Sequence, residues 1–116
     1  MRITRIYSGE DGESHFEDVE ISLRKVGEIG RISEPLGATG IVFRETDGDY
    51  DFDFHCAPRR QYVINLDAPV EIETGDGSTR RIGAGEILLA EDTSGRGHRS
   101  RAVDGQPRRC VFVTLD

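Results

Sequence analysis

Residues 61–66 (QYVINL) and 70–74 (VEIET) are the part of the sequence that decides the fold. The first stretch is the strongest predicted strand, because it is rich in β-branched and aromatic side chains. The second alternates apolar and acidic residues with a period of two, and a turn over 67–69 separates the two stretches. Residues 75–78 (GDGS) predict a hairpin, since Asp-Gly tolerates positive φ, and 79–82 pairs back as a strand. These short strands and tight turns predict an all-β protein.

The same pattern continues on both sides of this centre. Further strands are predicted over residues 3–7, 19–23, 40–44, 51–55, 86–90, 98–103 and 109–113. The 51–55 stretch (DFDFH) alternates, so we expect His55 on the face of Asp53 and opposite the two phenylalanines. The only stretch that could form a helical turn is 22–29, and Gly27 weakens it. About ten short strands in one domain of 116 residues are typical of a sandwich or a barrel.

The charge of the chain is unevenly distributed. It carries 22 acidic and 15 basic residues, a net charge of −7, and residues 1–54 hold 13 of the acids with only 6 bases. An acidic chain lacks the basic face that nucleic acids and anionic membranes require. No apolar run approaches the roughly 20 residues of a spanning helix, and the start lacks the apolar region of a signal peptide. We therefore expect a cytoplasmic protein that binds neither nucleic acid nor membrane.

The two cysteines, Cys56 and Cys110, match no metal-binding or redox spacing. Two free thiols in a reducing compartment are the simplest interpretation. A disulfide stays an alternative, because strands distant in sequence can be neighbours in space.

Two groups of residues follow the order found in a known family. The first group consists of Gly48, His55, the Ala57 position, Gln61 and a turn over 65–70. The second group consists of a glycine-led strand over 85–89 and His98. This order resembles the two motifs of the cupin family, and residues 58–64 and 91–98 look like a subgroup of small bacterial single-domain cupins. The resemblance covers roughly two thirds of the chain.

The resemblance implies a double-stranded β-helix, also called a jelly-roll barrel, in one domain of residues 1–116. Residues 40–116 would form the barrel, and 1–39 would form an N-terminal extension of strands. Because small cupins commonly pair edge strands between subunits, it also implies a homodimer. We expect the acidic N-terminal region to lie against arginine-rich barrel strands, in its own chain or its neighbour's. The fold serves enzymes, sensors and storage proteins, so it does not identify an activity.

A cupin metal site usually offers three histidines and one glutamate, and this chain departs from that set. His55 and His98 occupy two histidine positions, whereas Ala57 stands at the third and Gln61 at the glutamate position. The remaining set would hold iron, nickel, manganese or zinc weakly, since an amide contributes no negative charge. The first hypothesis is therefore a divalent-metal enzyme of dioxygenase or isomerase type, with His55 and His98 as catalytic residues and Gln61 as ligand or substrate contact.

Two further hypotheses dispense with the metal. The pocket could bind a small molecule without turnover, or it could resemble the metal-free sugar epimerases of this fold, with His55 or His98 as base and Tyr50 as acid. In each case Arg60 or Arg99 could anchor an anionic group of the ligand. Ion pairing of the arginines with the N-terminal acids is the preferred interpretation.

Three other features receive structural interpretations. His15 lies in an acidic stretch and is expected to be a solvated loop residue. The aspartates at positions 47, 49, 51 and 53 imitate part of a calcium loop, but a solvated strand entry fits better, with Asp53 orienting the ring of His55. Tyr62 alternates with Gln61 and is therefore expected to face away from the barrel interior.

Overall fold

A computed structural model describes all residues, 1–116, and contains only strands, turns and one short 3₁₀ turn at Gly27–Ile29. The strands are β1 (Arg2–Ser8), β2 (Ser14–Glu20), β3 (Arg24–Lys25), β4 (Arg31–Ile32), β5 (Gly40–Thr46), β6 (Asp51–His55), β7 (Gln61–Asn65), β8 (Val70–Glu73), β9 (Thr79–Ile82), β10 (Ile87–Glu91), β11 (His98–Ala102) and β12 (Arg108–Thr114). The all-β prediction is confirmed. The chain forms no helix that could span a lipid bilayer.

The strands form two main sheets. The larger has six strands in the order β2-β1-β10-β7-β12-β5, and the smaller has four in the order β6-β11-β8-β9. Strands β3 and β4 form a separate two-stranded ribbon. All pairs are antiparallel except β1 with β10. Two facing sheets joined by crossovers form the predicted jelly roll.

The core lies between the two sheets. Strand β8 shows how the sequence pattern places it, because Val70 and Ile72 are buried while the alternating acidic residues are partly exposed. In β7, Gln61 and Val63 face the interior, whereas Tyr62 faces outward as predicted. The central cluster comprises Ile6, Ala57, Val70, Ile72, Ile82, Leu88 and Ala90.

The N-terminal strands belong to the main sheet of their own chain. Strand β1 pairs with β10, and its Ile6 is fully buried. Three ion pairs join acids of the front half to arginines of the second half: Glu13 with Arg96, Asp18 with Arg80, and Asp51 with Arg99. This arrangement matches the expected contact between the acidic N-terminal region and the arginine-rich strands.

Two sequence predictions about the N-terminal region are wrong. The second strand runs over Ser14–Glu20 rather than 19–23, so His15 lies in a strand and not in a loop. The side chain of His15 is held by Asp11, at 2.9 Å from Nε2. The segment is too polar to show a strand pattern, and it becomes a strand because the whole length of β1 pairs with it.

A β-bulge in β6 overturns the predicted face of His55. Opposite β11, His98 pairs with His55 but Ser100 pairs with Phe52, so β6 holds one extra residue. The extra residue shifts the alternation, and Phe52 therefore stacks on His55 with ring centroids 3.9 Å apart. The alternation in the sequence cannot reveal a bulge, because the partner strand creates it.

Candidate functional site

A cavity of about 460 Å³ lies between the two sheets. Apolar side chains of the core form most of its wall. Its polar lining residues include Arg44, Tyr50, His55, Gln61, His98, Ser100 and Arg108. A largely apolar cavity with a few polar groups is the usual form of a small-molecule site.

A buried carboxylate holds His98 at the cavity wall. Nδ1 of His98 lies 2.6 Å from Oδ2 of Asp92, and Asp92 is fully buried. A carboxylate can only accept, so Nδ1 carries a proton, and in the neutral ring the lone pair of Nε2 is left for the cavity. Ser14 donates its hydroxyl to the same carboxylate oxygen at 2.7 Å. Strand β2 therefore completes the group that orients this histidine.

His55 faces His98 across the β6–β11 pair. The two ring centroids are 4.7 Å apart. Nδ1 of His55 donates to the backbone carbonyl of Asp53 at 2.8 Å, so the carbonyl and not the expected carboxylate orients the ring. Burial lowers the pKa of His55, and the charge of Arg44 contributes to the same shift. His55 is therefore neutral at pH 7, with Nε2 unprotonated.

A glycine allows the two histidines to approach each other. Gly97 precedes His98 and has a φ of 79°, which L residues rarely adopt. A Cβ at this position would overlap the backbone carbonyl of His55. Only glycine therefore fits where the loop before β11 crosses the end of β6.

Gln61 and Tyr50 supply the neutral polar groups of the cavity. Gln61 is buried, with 7% of its surface exposed, and no group of the protein forms a hydrogen bond with its side chain. The hydroxyl of Tyr50 lies 2.6 Å from Oγ of Ser100. Ala57 is part of the apolar wall, so the third histidine position of the cupin motif contributes no ligand.

Arg44 and Arg108 line the cavity without an acidic partner, as does the exposed Arg59. Arg108 is 4% exposed, and its Nε and Nη1 atoms are buried without a hydrogen-bond partner. Nε of Arg44 is also buried and unpartnered. Arg44 stacks over Phe112 and Tyr50, with its guanidinium carbon 4.7 and 5.3 Å from the ring centroids. Burial lowers the pKa of Arg108, and the nearby charge of Arg44 lowers it further.

The two arginines expected at the ligand lie outside the cavity. Arg60 forms an ion pair with Glu91 at 2.5 Å and donates to the backbone carbonyl of Asp116. Arg99 forms two hydrogen bonds with Asp51, at 2.9 and 2.8 Å. The structure therefore does not bring Arg60 or Arg99 to His55, Gln61 and His98. Arg99 makes the expected kind of ion pair with an acid of the front half, whereas the partner of Arg60, Glu91, lies in β10.

The side chains in the cavity fit a divalent metal poorly. No group of three His, Cys, Asp or Glu residues is placed so that it could hold a metal ion. The possible ligands are two imidazoles and the Gln61 amide, and Asp92 is engaged behind His98. The unpaired positive charges of Arg44 and Arg108 oppose a cation in the same cavity. The set fits an anionic or neutral organic ligand better.

Sequence reasoning missed four residues of this site: Ser14, Arg44, Asp92 and Arg108. One signal was available for Arg108, because adjacent strand residues face opposite ways. Arg109 faces outward and pairs with Asp67 at 2.7 Å, so Arg108 faces inward. Asp92 carried no such signal, since its contact with His98 depends on the fold of the loop between β10 and β11. Neither Cys56 nor Cys110 forms a disulfide.

Three solved structures resemble this chain. Protein NMB1881 from Neisseria meningitidis matches with a TM-score of 0.52 at 18% identity, over 72% of this chain and 81% of its own. The conserved SPY1581 protein of unknown function from Streptococcus pyogenes has a TM-score of 0.49 at 21% identity, over 72% and 71%. A candidate ethanolamine utilization protein Q from Salmonella typhimurium LT2 has a TM-score of 0.47 at 11% identity, over 99% and 95%.

At this identity, the match to NMB1881 shows a shared fold and says nothing about activity. The other two likenesses are too distant to carry an argument. No protein-family pattern and no curated protein matches the chain. The strand order and the structural match fit a small jelly roll, and evidence for a function has to come from the cavity itself.

Proposed function

We propose that this small cupin-like protein binds a small organic molecule in its barrel and catalyses proton transfer on it without a metal ion. The observation that carries the proposal is the buried Asp92–His98 pair, whose unprotonated Nε2 is left for the cavity. A histidine held in one tautomer by a carboxylate is a suitable general base.

Different residues around the cavity would carry out the separate steps of an isomerisation. Nε2 of His98 would accept a proton from the ligand, and Asp92 would stabilise the imidazolium that forms. The phenol of Tyr50, aligned by Ser100 at 2.6 Å, would give a proton to the ligand and be reprotonated from solvent, and His98 would release the proton that it took to solvent. Gln61 would orient the ligand through its unpartnered amide. One proton leaves the ligand and one arrives, so the reaction needs no oxidant.

The divalent-metal enzyme is the competing proposal. A carboxylate behind a histidine is also common around metals, so Asp92 alone does not distinguish the two. The difference lies in the other ligands and in the charge of Arg44 and Arg108, which disfavour a cation. A bound metal would use Nε2 of both His55 and His98.

Metal content and hydrogen exchange together test the proposal. Untagged protein incubated with iron, nickel, manganese or zinc salts and then desalted should retain less than about 0.2 equivalents of metal. In D₂O, small sugars and hydroxy acids are then screened for deuterium at carbon. We expect His98→Gln to slow the exchange by about 100-fold or more. Arg31→Met, at an exposed arginine of β4, is the control.

Two results would contradict metal-free acid–base chemistry. The first is about one equivalent of metal that both His55→Ala and His98→Ala remove. The second is deuterium exchange that proceeds at the same rate in His98→Gln as in the wild type.

A further inference from the structure

Arg44 and Arg108 place two positive charges inside the barrel, and no acid of the protein neutralises them. Neither arginine takes part in any ion pair, whereas most other arginines do. The titratable groups that act on Arg108 are Cys110, Arg44 and Tyr50, and none of them is a carboxylate. Burying a charge without a partner is costly, so such charges normally have a counter-ion.

The two arginines reach the cavity from neighbouring strands. Strand β12 pairs with β5, and Arg44 stands opposite Cys110, which is two residues from Arg108 on the same face. Tyr50 packs against both guanidinium groups, at 5.3 and 5.7 Å from its ring centroid. The aromatic ring fixes their position but leaves their net charge uncompensated.

The charge of Arg44 lies within electrostatic reach of His55. Arg44 disfavours the protonated form of His55, and the rings of His55 and His98 are 4.7 Å apart. A ligand whose acidic group is bound between the two arginines would therefore extend its other end to His98. The cavity of about 460 Å³ has room for a small molecule that extends over both parts.

We infer that Arg44 and Arg108 form an oxyanion subsite, so that the ligand of the barrel is a small organic acid carrying a carboxylate or a phosphate. This inference rests on the proposed function for the part of the ligand at His98. A carboxylate and a phosphate offer the same oxygen chemistry to guanidinium groups. The oxyanion supplies the missing counter-charge, and its binding orients the rest of the molecule toward Nε2.

A structural role of the arginines is the competing explanation. In that case the guanidinium groups would stabilise the fold by stacking on the aromatic rings, and removing one arginine would only destabilise the protein. Binding and stability separate the two explanations. An oxyanion subsite predicts loss of anion affinity together with an intact or stabilised unliganded protein, since the uncompensated charge is removed.

The test compares anions with neutral molecules of the same shape. Calorimetric titrations of the wild type use lactate and benzoate, with lactamide and benzamide as their neutral counterparts, and phenyl phosphate separates phosphate from carboxylate. We expect at least one anion to bind with a Kd below about 10 mM and its neutral counterpart to bind at least about tenfold more weakly. Arg108→Met should weaken binding of the anion by at least about tenfold and leave binding of the neutral molecules unchanged. Arg44→Met should act in the same direction, and Arg31→Met should have no effect.

The subsite is rejected if no anion binds the wild type below about 10 mM, or if Arg108→Met binds it equally well. It is also rejected if amides bind as tightly as acids. His98→Gln distinguishes this failure from failure of the proposed function, because it should slow exchange by about 100-fold or more and retain anion binding. Exchange on neutral sugars alone would reject the subsite and keep the acid–base site. Anion binding without exchange on any bound acid would reject the acid–base site and keep the subsite.

Discussion

Replacing Arg108 with methionine should stabilise the unliganded protein. Methionine keeps most of the aliphatic length and volume of the side chain, so the packing against Tyr50 is largely retained. The substitution removes a guanidinium group that is 4% exposed and has two nitrogens without hydrogen-bond partners. It also removes a like charge beside Arg44.

The magnitude follows from three opposing contributions. Each unpartnered buried N–H costs about 1–3 kcal/mol, so relief of two such groups favours the variant by about 2–6 kcal/mol. Loss of the cation–π contact with Tyr50, at 5.7 Å, costs about 0.5–1 kcal/mol. Imperfect packing of methionine costs about 1 kcal/mol more. Together these contributions amount to about 0–4.5 kcal/mol, so the free energy of unfolding should rise, by about 2 kcal/mol at the middle of this range.

Urea unfolding at pH 7 in a buffer without carboxylate or phosphate measures the change. We expect a higher midpoint of urea unfolding with an unchanged m-value. This would show that the stability of the folded state has changed and its compactness has not. Arg31→Met, at an exposed site, should stay within about 0.5 kcal/mol of the wild type. A decrease of more than about 1 kcal/mol in Arg108→Met would refute the reasoning, because the charge would then contribute to the fold.

Three further predictions concern the groups that hold the histidines. Gly97→Ala should destabilise the protein by about 3 kcal/mol in thermal unfolding, whereas Gly77→Ala, also at positive φ but with open space, should cost about 1 kcal/mol; equal costs would mean that the crossing over His55 is not tight. Ser14→Ala should lower the free energy of unfolding by about 1.5–3 kcal/mol, since it removes a hydrogen bond to the buried Asp92 carboxylate; a loss below about 0.5 kcal/mol would count against that bond. Burial lowers the pKa of His55, so the unfolded chain takes up its proton first as the pH falls below about 6.5; stability should therefore decrease from pH 7 to 5, and His55→Gln should flatten this decrease in urea titrations. An unchanged slope would place the titrating group elsewhere.

The strands that depend on local pattern could be predicted from the sequence. Strand β7 was expected over 61–66 and runs over Gln61–Asn65, and the hairpin of β8 and β9 follows from the Asp-Gly turn. In both places the alternation and the turn chemistry agree with the fold. Strand β2 lacks that agreement, because its residues are mostly polar and only pairing with β1 makes it a strand.

The site could be predicted only in part, for a similar reason. His55, Gln61 and His98 meet in one cavity, as the motif order implied. Their partners come from tertiary structure: the carboxylate behind His98 lies in a loop, and the bulge in β6 turns His55 toward Phe52. Whether an arginine pairs outside or lines the cavity depends on the acids near it. Strand alternation predicts opposite faces for Arg108 and Arg109, but which of the two meets an acid depends on the tertiary structure.

The state of the His98 ring in solution tests the central claim most directly. We propose ¹⁵N NMR spectra of the imidazole groups at pH 7, recorded without zinc, with one equivalent of zinc and after its removal. These spectra report protonation and metal coordination at each nitrogen. A metal-free base at His98 predicts a protonated Nδ1 bonded to Asp92 and an unprotonated Nε2 whose ¹⁵N signal is not shifted by zinc. A protonated Nε2, or a zinc-dependent shift of Nε2 in both His98 and His55, would contradict a metal-free base in this barrel.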